Sequence, residues 1–349
     1  MGNPICVVAP HQTDADLAFD QAQPFPIYRS LEKTFSARRH ANRLRWLLRL
    51  CTEHKPHILW ASDWRTGLTV ALVAALRRKS FIVSAYGSEL LLARNNRLTN
   101  LLATNVLKRA ELVLSISHYT KQLLIQSGVP ASKIAVIPLG VNPQDWQADI
   151  IRVNEIKSSY FLHDAAVILT LARLTPRKGH DVVIQALPQI KQTIPNVRYV
   201  IAGRGDDEAR LRAMVEQLGL QSEVIFAGYV DESEKAAYYH ACDVYTMLSR
   251  REGELVEGFG LTLLEAGACR KPVVAGRHGG VSDAVIEGET GLLVDPLDVD
   301  AVAEAIICLL KNREMAIQMG INAQNWIKRE ANWQHVATQT VALMSRRNH

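Results

Sequence analysis

The sequence predicts an α/β protein built from two doubly wound domains that face each other across a cleft. Three observations carry this expectation. The chain has 349 residues, about two domains at the usual ~100–200 residues each. Hydrophobic residues make up 48% and charged residues 21%, so a normal core is affordable and disorder as the main state is excluded. Short Val/Ile/Leu runs alternate with helical patterns along the whole chain, as in parallel sheets covered on both faces.

Taken in order, the strand segments of the first half are ICVVAP, PHILWAS, KSFIVSAYG, ELVLSIS and KIAVIPLG. Helical stretches such as TGLTVALVAALRR and HYTKQLLIQSG separate them. In the second half the strands are AVILTLARL, VRYVIAGRG, SEVIFAGYV, DVYTMLS, PVVAGRHGG and GLLVDP, with helices HDVVIQALPQIKQ, DEARLRAMVEQLG and DVDAVAEAIICLLKN between them. Pro138, Gly140 and Pro143 interrupt the pattern just before Trp146. This places the domains at 1–145 and 146–328. No apolar run of about 18 residues occurs, so no transmembrane helix is expected. The start, MGNPICVVAP, does not read as a signal peptide. Five scattered cysteines lack metal-ligand spacing, and a reduced, cytoplasmic chain is expected.

Charge is uneven. Residues 1–150 hold 18 Lys+Arg against 10 Asp+Glu, a net of +8; residues 151–349 hold 22 against 25, a net of −3. Arg38, Arg39, Arg43, Arg45 and Arg49 lie in ARRHANRLRWLLRLC, where Leu44, Leu47, Leu48 and Cys51 recur at helical spacing. A basic amphipathic helix suits an anionic membrane surface, and it equally suits packing on its own sheet with the arginines solvated.

Ligands of doubly wound sheets bind beyond the carboxyl ends of the strands, and the second half has chemistry there. In LARLTPRKGHD, Arg173 and Lys178 lie on a strand-to-helix turn that can aim both cations at one point. A diphosphate leaving group needs this, because charge builds on it as its bond breaks. Arg177 is expected to point to solvent. In EGFGLTLLEAGAC, Gly258 and Gly260 allow a tight loop around Phe259 after Glu257, and a helix then starts near Leu261. Glu265 sits about one turn inside that helix among apolar neighbours, where a buried carboxylate needs a partner. It is placed to accept from a vicinal diol, while Glu257 faces the cleft. Gly279 with Gly280 let backbone N–H groups approach phosphate, and Gly203 with Gly205 repeat the pattern or serve the turn alone.

Together ARLTPRKG, IAGRG, VIFAGYV, ACDVYTMLS, EGFGLTLLEAGACRKPVVAG, GGVSDAV and GETGLLVDP resemble the retaining nucleotide-sugar glycosyltransferases of family 4, in that family's order, over about residues 165–300. The resemblance implies the GT-B fold, made of two Rossmann-like domains. It implies that Arg173 and Lys178 hold the donor diphosphate, that Glu265 binds the ribose, and that Glu257 faces the transferred sugar. It also implies that the backbone around Gly228, Tyr229 and Val230 lines the base pocket. No metal or other cofactor is implied. In the first half SISHYTKQLL resembles the family's S-x-x-T segment, which puts Ser117 and Thr120 on the acceptor side. The final helix, 329–349, is expected to cross back to the first domain. The family's His-Gly-x-Glu/Asp segment is here Tyr86-Gly87-Ser88-Glu89, so Tyr86 stands where a catalytic His is usual. The family's opening strand and glycine-rich loop are missing from the match.

The implied activity is transfer of a hexose from a nucleotide diphosphate sugar, with mannose from GDP-mannose suggested by RREGELVEGFG and UDP-sugars sharing much of that segment. The implied acceptor is a glycan or a lipid-linked sugar, with peripheral contact at the inner face of the cytoplasmic membrane and no nucleic-acid partner. A non-catalytic nucleotide-sugar-binding protein on the same scaffold is the alternative.

Overall fold

The computed structural model describes residues 5–10, 19–30 and 37–345, with side chains described for these except Pro10, Ser30 and residues 37–42. Every strand segment anticipated above forms a strand. In the first half these are β1 (Val7–Pro10), β3 (Ile58–Ala61), β4 (Ser80–Ala85), β5 (Leu112–Ser115) and β6 (Ile134–Val136). One more, β2 (Ile27–Ser30), was not anticipated; it pairs in parallel with β1 as a separate two-stranded sheet. The main sheet of this half has the order β3-β4-β5-β6. All four residues of β5 are buried, which is why ELVLSIS reads as an unbroken apolar run.

The second half holds β7 (Ala166–Leu171), β8 (Val197–Ala202), β9 (Val224–Gly228), β10 (Val244–Met247), β11 (Val273–Gly276) and β12 (Gly291–Val294), in the order β12-β11-β10-β7-β8-β9. All pairings are parallel. The order reverses between β7 and β10, and the crevice at such a reversal is where α/β sheets bind ligands. One cluster, with Leu169, Val200, Tyr245 and Leu264, fills one face of this sheet; another, with Ile168, Ile184, Tyr199 and Ile306, fills the other.

The helix Ala37–His54 packs against the helix Trp64–Arg77, and its His54 meets Tyr28 of β2. Arg77 ties the two together by donating to the Leu48 carbonyl at 3.0 Å and the Thr52 hydroxyl at 2.6 Å. Leu50 is buried, Leu44, Leu47 and Leu48 are half-buried, and Arg45 and Arg49 are exposed. The side chains of Arg38 and Arg39 lie outside the described residues. No helix among the described residues is long and apolar enough to cross a membrane.

The chain passes between the two halves twice. The first passage runs through Gly140 and Val141, and the second through Ala331 and Asn332. They touch: the Val141 N–H donates to the Ala331 carbonyl at 2.9 Å, and a Cβ at Gly140 would come within 2.8 Å of the Asn332 backbone. After the second passage the helix Trp333–Ser345 sets Val336 against Ile82, Leu112, Leu114 and Ile137 of the first half.

Candidate functional site

A cleft of about 240 Å³ lies between the halves. Tyr86, Ser88 and Ile116 line it from the first half, with Leu139 near the passage, and Glu257, Gly258, Phe259, Gly260 and Leu261 line it from the second. Four contacts close its floor. The Ser88 hydroxyl donates to the Val256 carbonyl at 3.0 Å, and the Val256 N–H donates back to the same oxygen at 3.2 Å. The Asp283 carboxylate accepts from the His118 N–H at 3.1 Å and also pairs with the His118 ring. This carboxylate caps the helix His118–Gln126 from the opposite domain, where the helix dipole favours negative charge. A Cβ at Gly258 would collide with the Tyr86 carbonyl oxygen, so only glycine allows the two loops to meet.

Glu257 is the electrostatic centre. One oxygen of its carboxylate accepts from Lys178 Nζ, from Arg177 at 2.9 Å and from the Ser249 hydroxyl at 3.4 Å. Burial pushes the Glu257 carboxyl up, but the Lys178 and Arg177 charges outweigh it and hold it below its ordinary value. Lys178 and Arg177 sit on the single turn Pro176–Lys178, which directly follows the loop after β7. That turn is anchored behind: the Arg250 N–H donates to the Arg177 carbonyl at 2.9 Å, and the Arg250 guanidinium holds Asp181 in two bonds of 2.9 and 2.7 Å.

Two expectations are corrected here. Arg177 does not point to solvent; it joins Lys178 on Glu257. Arg173 does not converge with Lys178, because its side chain is 71% exposed and its nearest acid is Asp206 at 3.9 Å.

Glu265 is 4% exposed. Its partner is Tyr239, whose hydroxyl donates to it at 2.7 Å, and Tyr239 is wedged edge-on between Trp146 and Tyr245. Burial raises the Glu265 carboxyl above its ordinary value, and the Tyr239 bond offsets this only in part. Nothing in the sequence marked Tyr239; an aromatic one element away carries no spacing signal. Tyr229 is exposed beneath Arg204, which lies 5.9 Å over its ring, while Val230 is buried. Tyr86 reaches the cleft half-exposed, its N–H bound to Glu89 at 2.7 Å. Burial raises its phenol above the ordinary value, so it enters the cleft as a neutral donor.

Three further expectations are corrected. Ser117 and Thr120 are fully buried: Ser117 caps the helix His118–Gln126 by accepting from the Thr120 N–H, and its hydroxyl donates to Thr120 at 3.1 Å. Both side chains are spent on the cap and lie beneath the surface of the first half. Gly203 uses its missing Cβ to pass the Ala172 carbonyl, so it serves strand packing. The Gly280 N–H is spent on the Glu257 carbonyl at 2.8 Å and supplies no phosphate contact. Among the described residues no three His, Cys, Asp or Glu side chains gather as a metal-binding set.

Comparison with known proteins agrees along both halves. Residues 152–326 match the model "Glycosyl transferases group 1", and residues 1–145 match "Glycosyltransferase Family 4". The chain is 31% identical over 309 residues to a GDP-mannose-dependent alpha-(1-6)-phosphatidylinositol monomannoside mannosyltransferase of Mycolicibacterium smegmatis, covering 86% of this chain and 79% of that protein. It is 33% identical over 243 residues to the protein of the same description from Mycobacterium tuberculosis, covering 68% of this chain and 63% of the relative, so slightly less than two thirds of it. Anabaena Alr3699/HepE in complex with UDP has a similar structure, with a TM-score of 0.82 over 98% of this chain and 99% of that one at 20% identity.

Proposed function

The chain belongs to the group 1 and family 4 glycosyl transferases, with their GT-B arrangement of two Rossmann-like domains, and from that premise we propose that it is a retaining mannosyltransferase using GDP-mannose and a lipid-linked acceptor. One observation carries the reading: two cations and a carboxylate meet on the donor wall of a cleft whose other wall brings Tyr86. The GDP-mannose dependence of the relatives supports the choice of donor. Their phosphatidylinositol-linked substrate supports an acceptor at an anionic membrane surface.

In this reading the donor diphosphate takes the place of Glu257 on Lys178 and Arg177, with Arg173 free to close over it from outside. Glu257 then turns to the mannose hydroxyls and Glu265 to the ribose diol. The acceptor hydroxyl attacks the anomeric carbon on the face that the diphosphate leaves. The bond from that carbon to the phosphate oxygen breaks, the new glycosidic bond forms, and the acceptor proton passes to the departing phosphate oxygen. Lys178 and Arg177 stabilise the charge that builds there. Tyr86, a neutral phenol at the opposite wall, donates to the sugar or the acceptor.

The test is a thermal-shift panel of GDP-, UDP- and ADP-sugars, followed by release of sugar from radiolabelled donor. A shift with GDP-mannose and slow release of mannose supports the reading. A shift without turnover would leave a binding protein, and no response to any nucleotide sugar would end the proposal.

A further inference from the structure

The first domain carries exposed leucines on two adjoining helices. The helix Ser88–Arg94 leaves the cleft wall at Ser88, breaks at Asn95 and Asn96, and is followed by the helix Arg97–Arg109 beside it. On the second helix Ala103, Val106 and Leu107 face the core. Leu98 and Leu101 recur on the outer side at i and i+3, with Leu102 at its edge. Leu98 and Leu101 are 63% and 64% exposed, and Leu92 on the preceding helix is exposed too. A helix on a soluble surface shows one narrow apolar stripe; here the apolar surface extends round to the outer side. Between Glu89 and Glu111 the chain has no Asp or Glu and carries Arg94, Arg97, Lys108 and Arg109. Arg94 is held by the Leu123 carbonyl and the Ser127 hydroxyl, while Arg97, Lys108 and Arg109 are exposed.

We propose that this face docks on an anionic lipid bilayer, with Leu92, Leu98, Leu101 and Leu102 entering the headgroup boundary and Arg97, Lys108 and Arg109 meeting the lipid charges. The proposal rests on the reading of a lipid-linked acceptor given above and names the surface that serves it. The sign of the charge selects the occupant. A second copy of the chain, meeting this face across a two-fold axis, would set cation against cation. An anionic bilayer supplies the opposite charge and an apolar interior together. Position agrees with purpose: Leu92 lies four residues beyond Ser88, about 6 Å along the helix axis from the cleft wall. A lipid-linked sugar would then reach the cleft without leaving the surface.

Flotation of the full chain with phosphatidylcholine vesicles, with and without phosphatidylglycerol, tests this. The parent should float with the anionic vesicles only and be released by salt. The variant Leu98→Gln/Leu101→Gln/Leu102→Gln should lose at least tenfold in partitioning, since each buried leucine contributes on the order of tenfold. Its donor hydrolysis and melting temperature should match the parent's, because these side chains belong to no core cluster among the described residues and do not line the cleft. Arg45→Gln/Arg49→Gln, on the neighbouring basic helix, should bind as the parent does. Unchanged flotation of the leucine variant, or its loss in the Arg45/Arg49 variant alone, would overturn the assignment. So would a parent that ignores anionic vesicles but forms a dimer that the leucine variant abolishes. A parent that floats but hydrolyses no donor leaves the docking face standing and removes the transferase reading instead.

Discussion

Lys178 and Glu257 form an ion pair at the centre of the cleft, with the Arg177 guanidinium on the same carboxylate oxygen. In the proposed reading the carboxylate occupies the position that a phosphate would take on these cations, and the donor displaces it. Glu257→Gln should therefore bind free nucleoside diphosphate more tightly, by roughly tenfold or ~1.4 kcal/mol, while turnover falls. Calorimetry with GDP checks the sign; weaker binding would mean that Glu257 supports the diphosphate site and does not compete for it.

Removing the cations should act in the opposite direction. Lys178→Ala and Arg177→Ala should each weaken nucleoside diphosphate binding by about 1.5–3 kcal/mol, the range for charge-assisted hydrogen bonds, and leave nucleoside binding nearly unchanged. Arg173→Ala should do less to binding and more to turnover, because its side chain stands away from the pair. Equilibrium titrations with guanosine and GDP on the three variants separate these outcomes.

Asp181 is buried beneath the Arg177–Lys178 turn between Arg250 and Arg210. Burial raises its carboxyl, yet the two guanidinium groups outweigh burial and hold it below its ordinary value, as happens at Glu257. A depressed carboxylate contributes stability above its unfolded value and loses that contribution as pH falls through the folded value. Stability should decline once pH drops below the ordinary values of 4.5 for Glu257 and 3.8 for Asp181. Asp181→Asn should cost about 3 kcal/mol at neutral pH, as one partner of a buried pair is removed, and flatten the acid limb. Denaturant titrations across pH measure both.

Tyr239→Phe would leave the Glu265 carboxylate buried without its donor. A loss of about 1–3 kcal/mol in stability is expected, together with a further rise of the Glu265 carboxyl and weaker binding of nucleoside at neutral pH. Chemical denaturation reads the first and a pH series of nucleoside affinity reads the others.

Gly258→Ala would drive a methyl group into the Tyr86 carbonyl. The loops must separate, at a cost of about 1–3 kcal/mol typical of overpacking, and turnover should fall more than donor affinity because the donor wall stays whole. Comparing kcat with the donor KM checks this.

Much of the architecture was legible because parallel strands buried on both faces leave unbroken apolar runs, as in β5 and β7. The strand β2 was not, because Tyr28 and Arg29 interrupt its apolar pattern and its strand partner among the described residues is the short β1. The pair Glu257 and Lys178 was visible as chemistry at strand ends. Which neighbour of Lys178 would join it was not: across a loop and a single short turn, sequence does not say whether Arg173 or Arg177 faces inward. Ser117 and Thr120 misled for a similar reason. A serine three residues before a helical threonine is a cap as readily as a ligand contact, and only burial tells the two apart.

The touching passages at Gly140–Val141 and Ala331–Asn332 act as two pins set on one seam. Both connections cross at this one place, so any swing of one half against the other has its nearest fixed point at the Val141–Ala331 bond. The contacts farthest from the seam travel furthest for a given swing, so small changes at Gly140 would be magnified at the cleft mouth.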